Sequence, residues 1–383
     1  MPIQLPMLTE NGKGRVSAVL DLDRLLAYAV ERGASDVHIK VGSPPFIRID
    51  GRLERIDHPD VSPVETERIA FAIMPKQRAE EFLATSDADF AYSVSGLGRF
   101  RVNVMRQRGS VGLVLRRVQS DIPSFEQLGL PPVVRKLAEH ERGLVLVTGP
   151  TGSGKTTTLG SMIDYINETQ KKHIVTIEDP IEILHADKAS IVNQREIGTD
   201  TTDFHAALKR VLRQDPDVIL VGEMRDIETV KTALTAAETG HLVFSTLHTI
   251  SATDSDNRII DFVPPHEQRQ VRMSLGGSLR GIVSQRLVER RGGGRIPAVE
   301  ILVATGRIFD KIVNAEETNE IEQIIAEGEY YGMQTFDQSL LGIYSEGLVE
   351  LREALAASTS PHDLRLMIEQ FTMRQASEQA AAG

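Results

Sequence analysis

The run Gly149-Pro150-Thr151-Gly152-Ser153-Gly154-Lys155-Thr156 fits G-x-x-x-x-G-K-[ST] at every fixed position, and Thr157 follows it. Residues of these types at this spacing hold phosphate. Gly152 and Gly154 let the backbone turn its N–H groups inward, where they cradle phosphate oxygens. A helix starting at Lys155 adds the positive end of its dipole. The Lys155 ammonium reaches the β- and γ-phosphates of a nucleoside triphosphate, and the Thr156 hydroxyl ligates Mg²⁺. A glycine-rich turn with a chance lysine is the plain alternative. The apolar run at 144–148 and the helical stretch from 155 argue against it. The motif alone does not separate ATP from GTP, or a motor from a kinase.

Carboxylates stand where a second group is needed. Asp217-Val218-Ile219-Leu220-Val221-Gly222-Glu223 is an apolar strand ending in an acid, at the edge where open parallel sheets bind ligands. Glu223 there can hold a Mg²⁺-bound water or polarise an attacking one; a solvated strand end is the alternative. Thr176-Ile177-Glu178-Asp179-Pro180-Ile181-Glu182 crowds three carboxylates into five residues. Like charges that close are costly unless a cation meets them, so the run is expected around Mg²⁺ or the hydrolytic water, against a simple capping cluster. His241 opens another strand and His248 follows it, seven positions on. If both carry chemistry, they act at different ends of that strand or across a subunit boundary. The Ser/Thr-rich surroundings favour His248. Residues 99–117 hold six arginines (99, 101, 106, 108, 116 and 117) and no acid. A nucleic-acid groove would interleave exposed aromatics, and only Phe100 is present. An arginine finger, which contributes about 10³–10⁵ in rate, and a solvated strand pair are the other readings.

These groups need buried strands with helices between them. Runs 144–148, 173–177, 217–221 and 241–246 are short and apolar or β-branched, and 155–169, 203–213 and 227–238 read as helices. The alternation predicts an α/β domain with a parallel sheet covered on both faces. Upstream, Leu22, Leu25, Leu26 and Ala29 have helical spacing and Gly33 stops them. Segments 37–40, 46–49, 90–94, 98–107 and 111–118 read as strands, and 66–73 and 76–85 as helices, together a small α+β unit. Three prolines and a glycine make 120–132 the best linker. The expected division is 1–119, a linker at 120–140, the nucleotide-binding domain at 141–303 and an acidic helical region at 304–383. The first ten residues read as a loose arm, and the chain beyond 295 as mainly helical. No internal repeats are visible.

Composition sets the outer limits. The chain has 383 residues, with 43 basic and 54 acidic side chains and a net charge of -11. Residues 304–383 carry 14 acidic and 5 basic groups, so the rest is nearly balanced. Proteins that live on DNA usually show a basic excess or face, and no nucleic-acid partner is expected. The absence of cysteine excludes disulfides, Cys-ligated zinc, iron–sulfur clusters and a thiolate nucleophile. Residues 1–16 lack the apolar core of a signal peptide, and no run approaches the ~18 apolar residues of a span. The expectation is a cytoplasmic chain that meets a membrane only through a partner.

Four runs together resemble the type IV pilus retraction ATPases, the PilT/PilU family of the hexameric secretion ATPases, over about 20–349. They are the phosphate loop; the stretch 174–201 with Asn193-Gln194-Arg195-Glu196; Gly222-Glu223-Met224-Arg225-Asp226; and Ala236-Ala237-Glu238-Thr239-Gly240-His241 through Thr246-Leu247-His248-Thr249. Gly33-Ala34-Ser35-Asp36-Val37-His38 and Gly332-Met333-Gln334-Thr335-Phe336-Asp337-Gln338 are also family-like. The resemblance implies a RecA-like P-loop ATPase domain, an N-terminal α+β PAS-like domain and a helical C-terminal tail, assembled as a ring of six that uses ATP and Mg²⁺. It implies that Glu182 is the catalytic glutamate, Glu223 the Walker B glutamate, and His241 and His248 the His-box pair. Arginines of 99–117, Arg101 and Arg116 first, would approach the nucleotide; Asp179 would be structural.

The implied function is a motor for pilus retraction and twitching motility. It would turn an inner-membrane platform protein, sit peripherally at that membrane, and work beside a paralogous pilus ATPase. The pilus assembly ATPases carry a four-cysteine zinc loop and a longer N-terminal region, which this chain lacks, so the retraction branch is preferred. One stretch departs. Where the retraction family reads close to Ala-Ile-Arg-Asn-Leu-Ile-Arg-Glu, this chain has Arg307-Ile308-Phe309-Asp310-Lys311-Ile312-Val313-Asn314 and keeps only the isoleucine spacing. Hydrolysis is expected to survive and coupling to change, as in an accessory or divergent paralogue. The competing readings are a nucleic-acid translocase using the 99–117 strands, with steeply salt-dependent stimulation, and a regulatory nucleotide-binding module with poor hydrolysis.

Overall fold

The structure, a computed structural model, describes residues 3–4 and 20–382, with side chains from 20 to 374. The arm expected over 1–10 and the segment 1–16 lie outside the described residues, apart from 3–4. The chain divides into two units, Met1–Ser120 and Asp121–Gly383.

Among the described residues, unit 1 has seven strands: β1 (Ile3–Gln4), β2 (Asp36–Ile39), β3 (Phe46–Ile49), β4 (Arg52–Asp57), β5 (Asp87–Val94), β6 (Gly98–Gln107) and β7 (Ser110–Arg117). They form one sheet in the order β1-β4-β3-β2-β7-β6-β5. The helices are α1 (Leu22–Glu31), α2 (Pro63–Ile73) and α3 (Lys76–Thr85). Asp21 caps α1 by accepting from the Arg24 N–H, and its apolar stripe of Leu22, Leu25, Leu26 and Ala29 is buried. At the other end the C-cap, Arg32, is followed by Gly33 at φ +69°, a conformation glycine adopts without strain. Sequence patterning had no signal for β4: only Ile56 among its six residues is buried, and pairing with β3, not an apolar face, makes it a strand.

Unit 2 carries β8 (Gly143–Thr148), β9 (His173–Glu178), β10 (Ile191–Glu196), β11 (Val218–Val221), β12 (Leu242–Leu247), β13 (Leu279–Glu289) and β14 (Arg295–Val303). Their order is β10-β9-β11-β12-β8-β13-β14. All pairings are parallel except that of β13 with β14. The helices are α4 (Phe125–Leu128), α5 (Pro132–Ala138), α6 (Lys155–Thr169), α7 (Phe204–Val211), α8 (Ile227–Glu238), α9 (Ala252–Asp261) and α10 (Gln268–Ser278), then α11 (Gly306–Val313), α12 (Ile321–Glu327), α13 (Phe336–Ser345), α14 (Leu351–Ala357) and α15 (Pro361–Ala382). Alternate residues of the central strands face opposite ways. Leu144, Leu146, Val175, Ile177 and Val243 join one core with α7, α8 and α10. Val145, Val147, Ile174, Leu220 and Phe244 join a second with α5 and α6. Burial on both faces explains why these strands read as continuous apolar runs.

The reading of a mainly helical chain beyond 295 is corrected at its start. Residues 295–303 are a strand, paired along its length with β13. A short apolar run does not by itself distinguish strand from buried helix, and Pro297 is tolerated because β14 is at the sheet edge. Residues 120–140 also hold more than a connection: Val134 and Leu137 of α5 are fully buried in the second core. Downstream, Leu364 and Ile368 of α15 pack with Val288, Ile296 and Leu340. In α11, the retained Ile308 and Ile312 point into the core. Arg307 and Lys311 instead pair with Glu327, Glu317 and Glu320 at the surface. Among the described residues no helix is long and apolar enough to cross a membrane.

Candidate nucleotide-binding site

The loop between β8 and α6 is shaped by its glycines. Gly154 is the N-cap of α6 at φ +90° and offers no side-chain cap, which leaves the first amides of the helix for a ligand. A Cβ on Gly149 would collide with the Gln285 backbone carbonyl oxygen, and at Gly154, where a Cβ would meet Gln285 Nε2 at 2.7 Å, the positive φ strains any other residue. Lys155 is buried, and its Nζ donates to the carbonyls of Gly149 at 2.8 Å and Pro150 at 3.0 Å. Burial lowers its pKa, while the nearby Glu223 and Glu182 charges pull the other way. The ammonium is thus held over the loop within the field of both carboxylates. Thr156 is exposed one residue further on.

A cleft of about 560 Å³ opens in front of this loop. Thr151, Gly152, Ser153, Gly154, Lys155, Thr156 and Thr157 line it, with Glu178, Asp179, Glu182, Glu223 and His248 from the ends of other strands. Gly149 and Pro150 are not among the lining residues. The parallel sheet brings these groups together, because each strand delivers its C-terminal end to the same edge. Glu223 accepts from Arg225 Nε at 2.8 Å, and its other oxygen lies 3.5 Å from His248 Nε2. Thr246 Oγ1 donates to the Gly222 carbonyl at 2.6 Å and fixes the turn that presents Glu223.

The carboxylate-rich run is held from behind. Glu178 is buried, which raises its pKa; hydrogen bonds from Thr176 Oγ1 at 2.6 Å and Gln194 Nε2 at 3.0 Å act against the rise. Gln194 also donates to the Ile183 carbonyl at 2.9 Å and accepts from the His185 N–H at 2.9 Å. One amide thereby ties β10 to the loop carrying Glu182, which is exposed to the cleft. Burial pushes the His185 imidazole down to about 4, so it stays neutral near pH 7.

Two sets of expected residues lie elsewhere. His241 is at the opposite end of β12 from His248, with Nδ1 3.0 Å from the Ala236 carbonyl, and it does not reach the cleft. Arg101 and Arg116 belong to unit 1, side by side on β6 and β7. Arg116 Nε donates to Asp36 at 2.8 Å. Burial raises the Asp36 pKa, but hydrogen bonds from Arg116 and Ser35 outweigh that and hold it below the usual carboxylate range. Arg101 is exposed.

Sequence reasoning gave no role to Gln285 or His185, and named Gln194 and Arg225 only within family-like runs. Gln285, on β13, is the most consequential. Its Nε2 donates to the Ser153 carbonyl at 2.8 Å and its Oε1 accepts from Thr158 at 2.8 Å. The available signal was one amide inside the apolar run Gly281-Ile282-Val283-Ser284-Gln285, since a buried polar group needs partners.

Residues 10–330 match the family described as type II/IV secretion system protein. A Pseudomonas aeruginosa protein named "Type IV pilus retractation ATPase PilT" is 44% identical over 344 residues, 90% of this chain and 100% of its own length. From the same organism, "Type IV pilus ATPase PilU" is 42% identical over 351 residues, 91% of this chain and 92% of its own. A crystal structure of the pilus retraction motor PilT with bound ADP superposes with a TM-score of 0.81 and 48% identity, covering 90% of this chain and 99% of that one. Agreement in sequence and fold extends through both units: the chain belongs to the type II/IV secretion system protein family and stands among its pilus retraction ATPases.

Proposed function

We propose that this chain is an ATP-hydrolysing motor that powers type IV pilus retraction and twitching motility. The observation that carries the proposal is the single cleft in which the phosphate loop faces Glu182 and Glu223. On this reading unit 2 is a RecA-like ATPase domain and unit 1 a PAS-like domain. Six copies form a ring on the cytoplasmic side of the inner membrane, act on the pilus platform protein, and work beside a paralogous ATPase. Arginines of the 99–117 strands, Arg101 and Arg116 among them, supply positive charge to the nucleotide of a neighbouring copy, and His241 serves the ring.

The chemistry follows from the cleft. Amides of 152–156 grip the phosphates, and Lys155 exchanges the Gly149 and Pro150 carbonyls for β- and γ-phosphate oxygens. Glu182 takes a proton from the attacking water as the new O–P bond forms at the γ-phosphorus. The bond from that phosphorus to the bridging oxygen breaks, and ADP leaves with the electron pair. His248 and Arg225 orient Glu223. The exposed Thr156 hydroxyl and the Glu223 carboxylate fit Mg²⁺, which takes one or two protein oxygens and completes its shell with phosphate and water. Among the described residues no group of three His, Cys, Asp or Glu side chains is placed to hold a metal ion. When bound, the ion neutralises charge on the phosphate oxygens.

Replacing Glu182 by Gln should leave ATP binding intact and lower turnover about 10²–10⁴-fold, the usual contribution of a general base. Wild-type turnover by that variant would overturn the assignment. An accessory role is a second reading, favoured by α11, whose exposed positions depart from the family pattern while its buried isoleucines do not. Deletion followed by complementation, with and without the family pattern at 307–314, separates the two by twitching.

A further inference from the structure

The carboxylates occupy one side of the cleft. Glu178 ends β9 and Glu223 follows β11, and both strands lie on the same side of β8 and its phosphate loop. The hairpin of β13 and β14 lies on the other side. Because β13 runs parallel to β8, its C-terminal end and the start of β14 reach the sheet edge that carries the loop. Leu287 is paired with Pro297, and Glu289 with Arg295. Paired residues share a face, as do alternate residues along a strand, so Gln285, Leu287 and Arg295 project together. Gln285 is bonded beneath Ser153. Leu287 Cδ2 is 3.6 Å from where a Cβ on Gly154 would stand. Arg295 is the next row outward, exposed and on the cleft wall.

No described residue uses that guanidinium. Among the described residues it has no hydrogen-bond or ion-pair partner, although Glu289 is directly opposite. Its backbone is nevertheless anchored. The Arg290 N–H donates to Gly294 at 3.1 Å across the hairpin tip, and Arg291 donates to the Leu348 carbonyl at 2.8 Å. The Arg291 side chain adds a two-pronged pair to Glu350 at 2.6 and 3.0 Å.

We infer that Arg295, with Leu287 as an apolar floor, forms the nucleoside end of the cleft, the guanidinium plane stacking on the base. This rests on the nucleotide reading above. A triphosphate on the loop with its terminal phosphate toward Glu182 and Glu223 sends its nucleoside the other way. Phe204 is the aromatic on the cleft wall, but it lies beside Gly222 at the acidic end. Arginine is planar and weakly hydrated and stacks on π faces, so it serves where no ring is present. A face-to-face contact reads no base edge, so adenine and guanine nucleotides should differ little here.

Calorimetric titration of the full chain with Mg²⁺-ADP and with Mg²⁺-pyrophosphate tests this. Arg295→Ala should weaken ADP about tenfold and leave pyrophosphate within about twofold, because only the base contact is lost. Arg295→Lys should stay close to the alanine variant, since an ammonium supplies charge without a plane. In turnover assays KM for ATP should rise with kcat nearly unchanged. Equal losses for ADP and pyrophosphate would place the guanidinium on phosphate and overturn the inference. So would full rescue by lysine, or unchanged ADP affinity in Arg295→Ala. A wild-type chain that binds neither ligand would sink the nucleotide reading itself, an outcome distinct from these.

Discussion

The two edges of the unit 2 sheet are made by the same strands and have opposite characters. At the N-terminal edge polar groups satisfy one another. The His173 N–H donates to Asp217 at 2.8 Å, its Nδ1 lies 3.0 Å from the Asp215 carbonyl, and Asn193 covers its Nε2 at 2.8 Å. His241 is likewise folded onto Ala236. At the C-terminal edge each polar group is held from behind and open in front: Lys155 on carbonyls, Glu223 on Arg225, and Glu178 on Gln194 behind the open Glu182. Direction of travel makes the difference. Parallel strands send their outgoing turns to one edge, where helix N-termini and loops leave room for a ligand. Seven residues along one strand separate a histidine folded onto Ala236 from one beside the cleft.

The strongest test of that contrast is Lys155→Ala. It should lower ATP turnover about 10²–10³-fold through loss of charge stabilisation, with the melting temperature little changed. Comparable turnover in this variant would dissolve the distinction between the edges. Gln285→Ala comes next. It strips partners from the buried Ser153 carbonyl and Thr158 hydroxyl. The expected cost is about 2–3 kcal/mol in urea unfolding, with a raised KM for ATP.

The histidines give a smaller, paired effect. His248→Ala should lower kcat about tenfold by freeing Glu223, while His241→Ala should cost about 1 kcal/mol of stability and leave ADP affinity near wild type. A loss of ADP binding in His241→Ala as large as that in Lys155→Ala would break the comparison.

Glu300, on β14, sharpens it further. It accepts from the Ala252 N–H at 2.7 Å, at the start of α9 just after the His248 loop. Burial pushes its pKa up to about 7; the Ala252 bond and Arg286 oppose this, and Glu322 and Asp254 add to it. A carboxyl raised in the folded state binds more protons there than when unfolded. Its stabilising contribution is therefore present below about pH 4.5 and lost as pH rises through about 7. Glu300→Gln keeps the acceptor without the charge. It should match wild type near pH 5 and exceed it by about 1–2 kcal/mol at pH 8, read by denaturant midpoints. An identical pH profile for the two chains would remove this support from the edge.

Much of the cleft was legible because its parts are covalent neighbours. The phosphate loop and the run 178–182 each sit within eight residues, so spacing alone exposes them. The groups that hold them are distant in the chain: Gln285 is 132 positions from Ser153, and Gln194 is 16 from Glu178. Strands β4 and β10 escaped for a related reason. Each is polar and near or at an edge of its sheet, and partner hydrogen bonds, not an apolar face, make them strands.

What the sequence determined by itself is local: a glycine-rich turn between an apolar run and a helix, a lysine and hydroxyl at the first turn of that helix, acids at strand ends, and apolar runs dense enough to be buried on both faces. Local spacing sets backbone conformation and charge within a few residues, and those do not depend on the rest of the chain. Only the tertiary structure decided that His248 and not His241 lines the cleft, that α11 keeps its isoleucines for the core, and that the β13–β14 hairpin supplies an amide beneath the loop and, among the described residues, an arginine without a partner beyond it. Those facts follow from strand order and register, which arise from packing elements more than a hundred residues apart, and no short-range pattern encodes them.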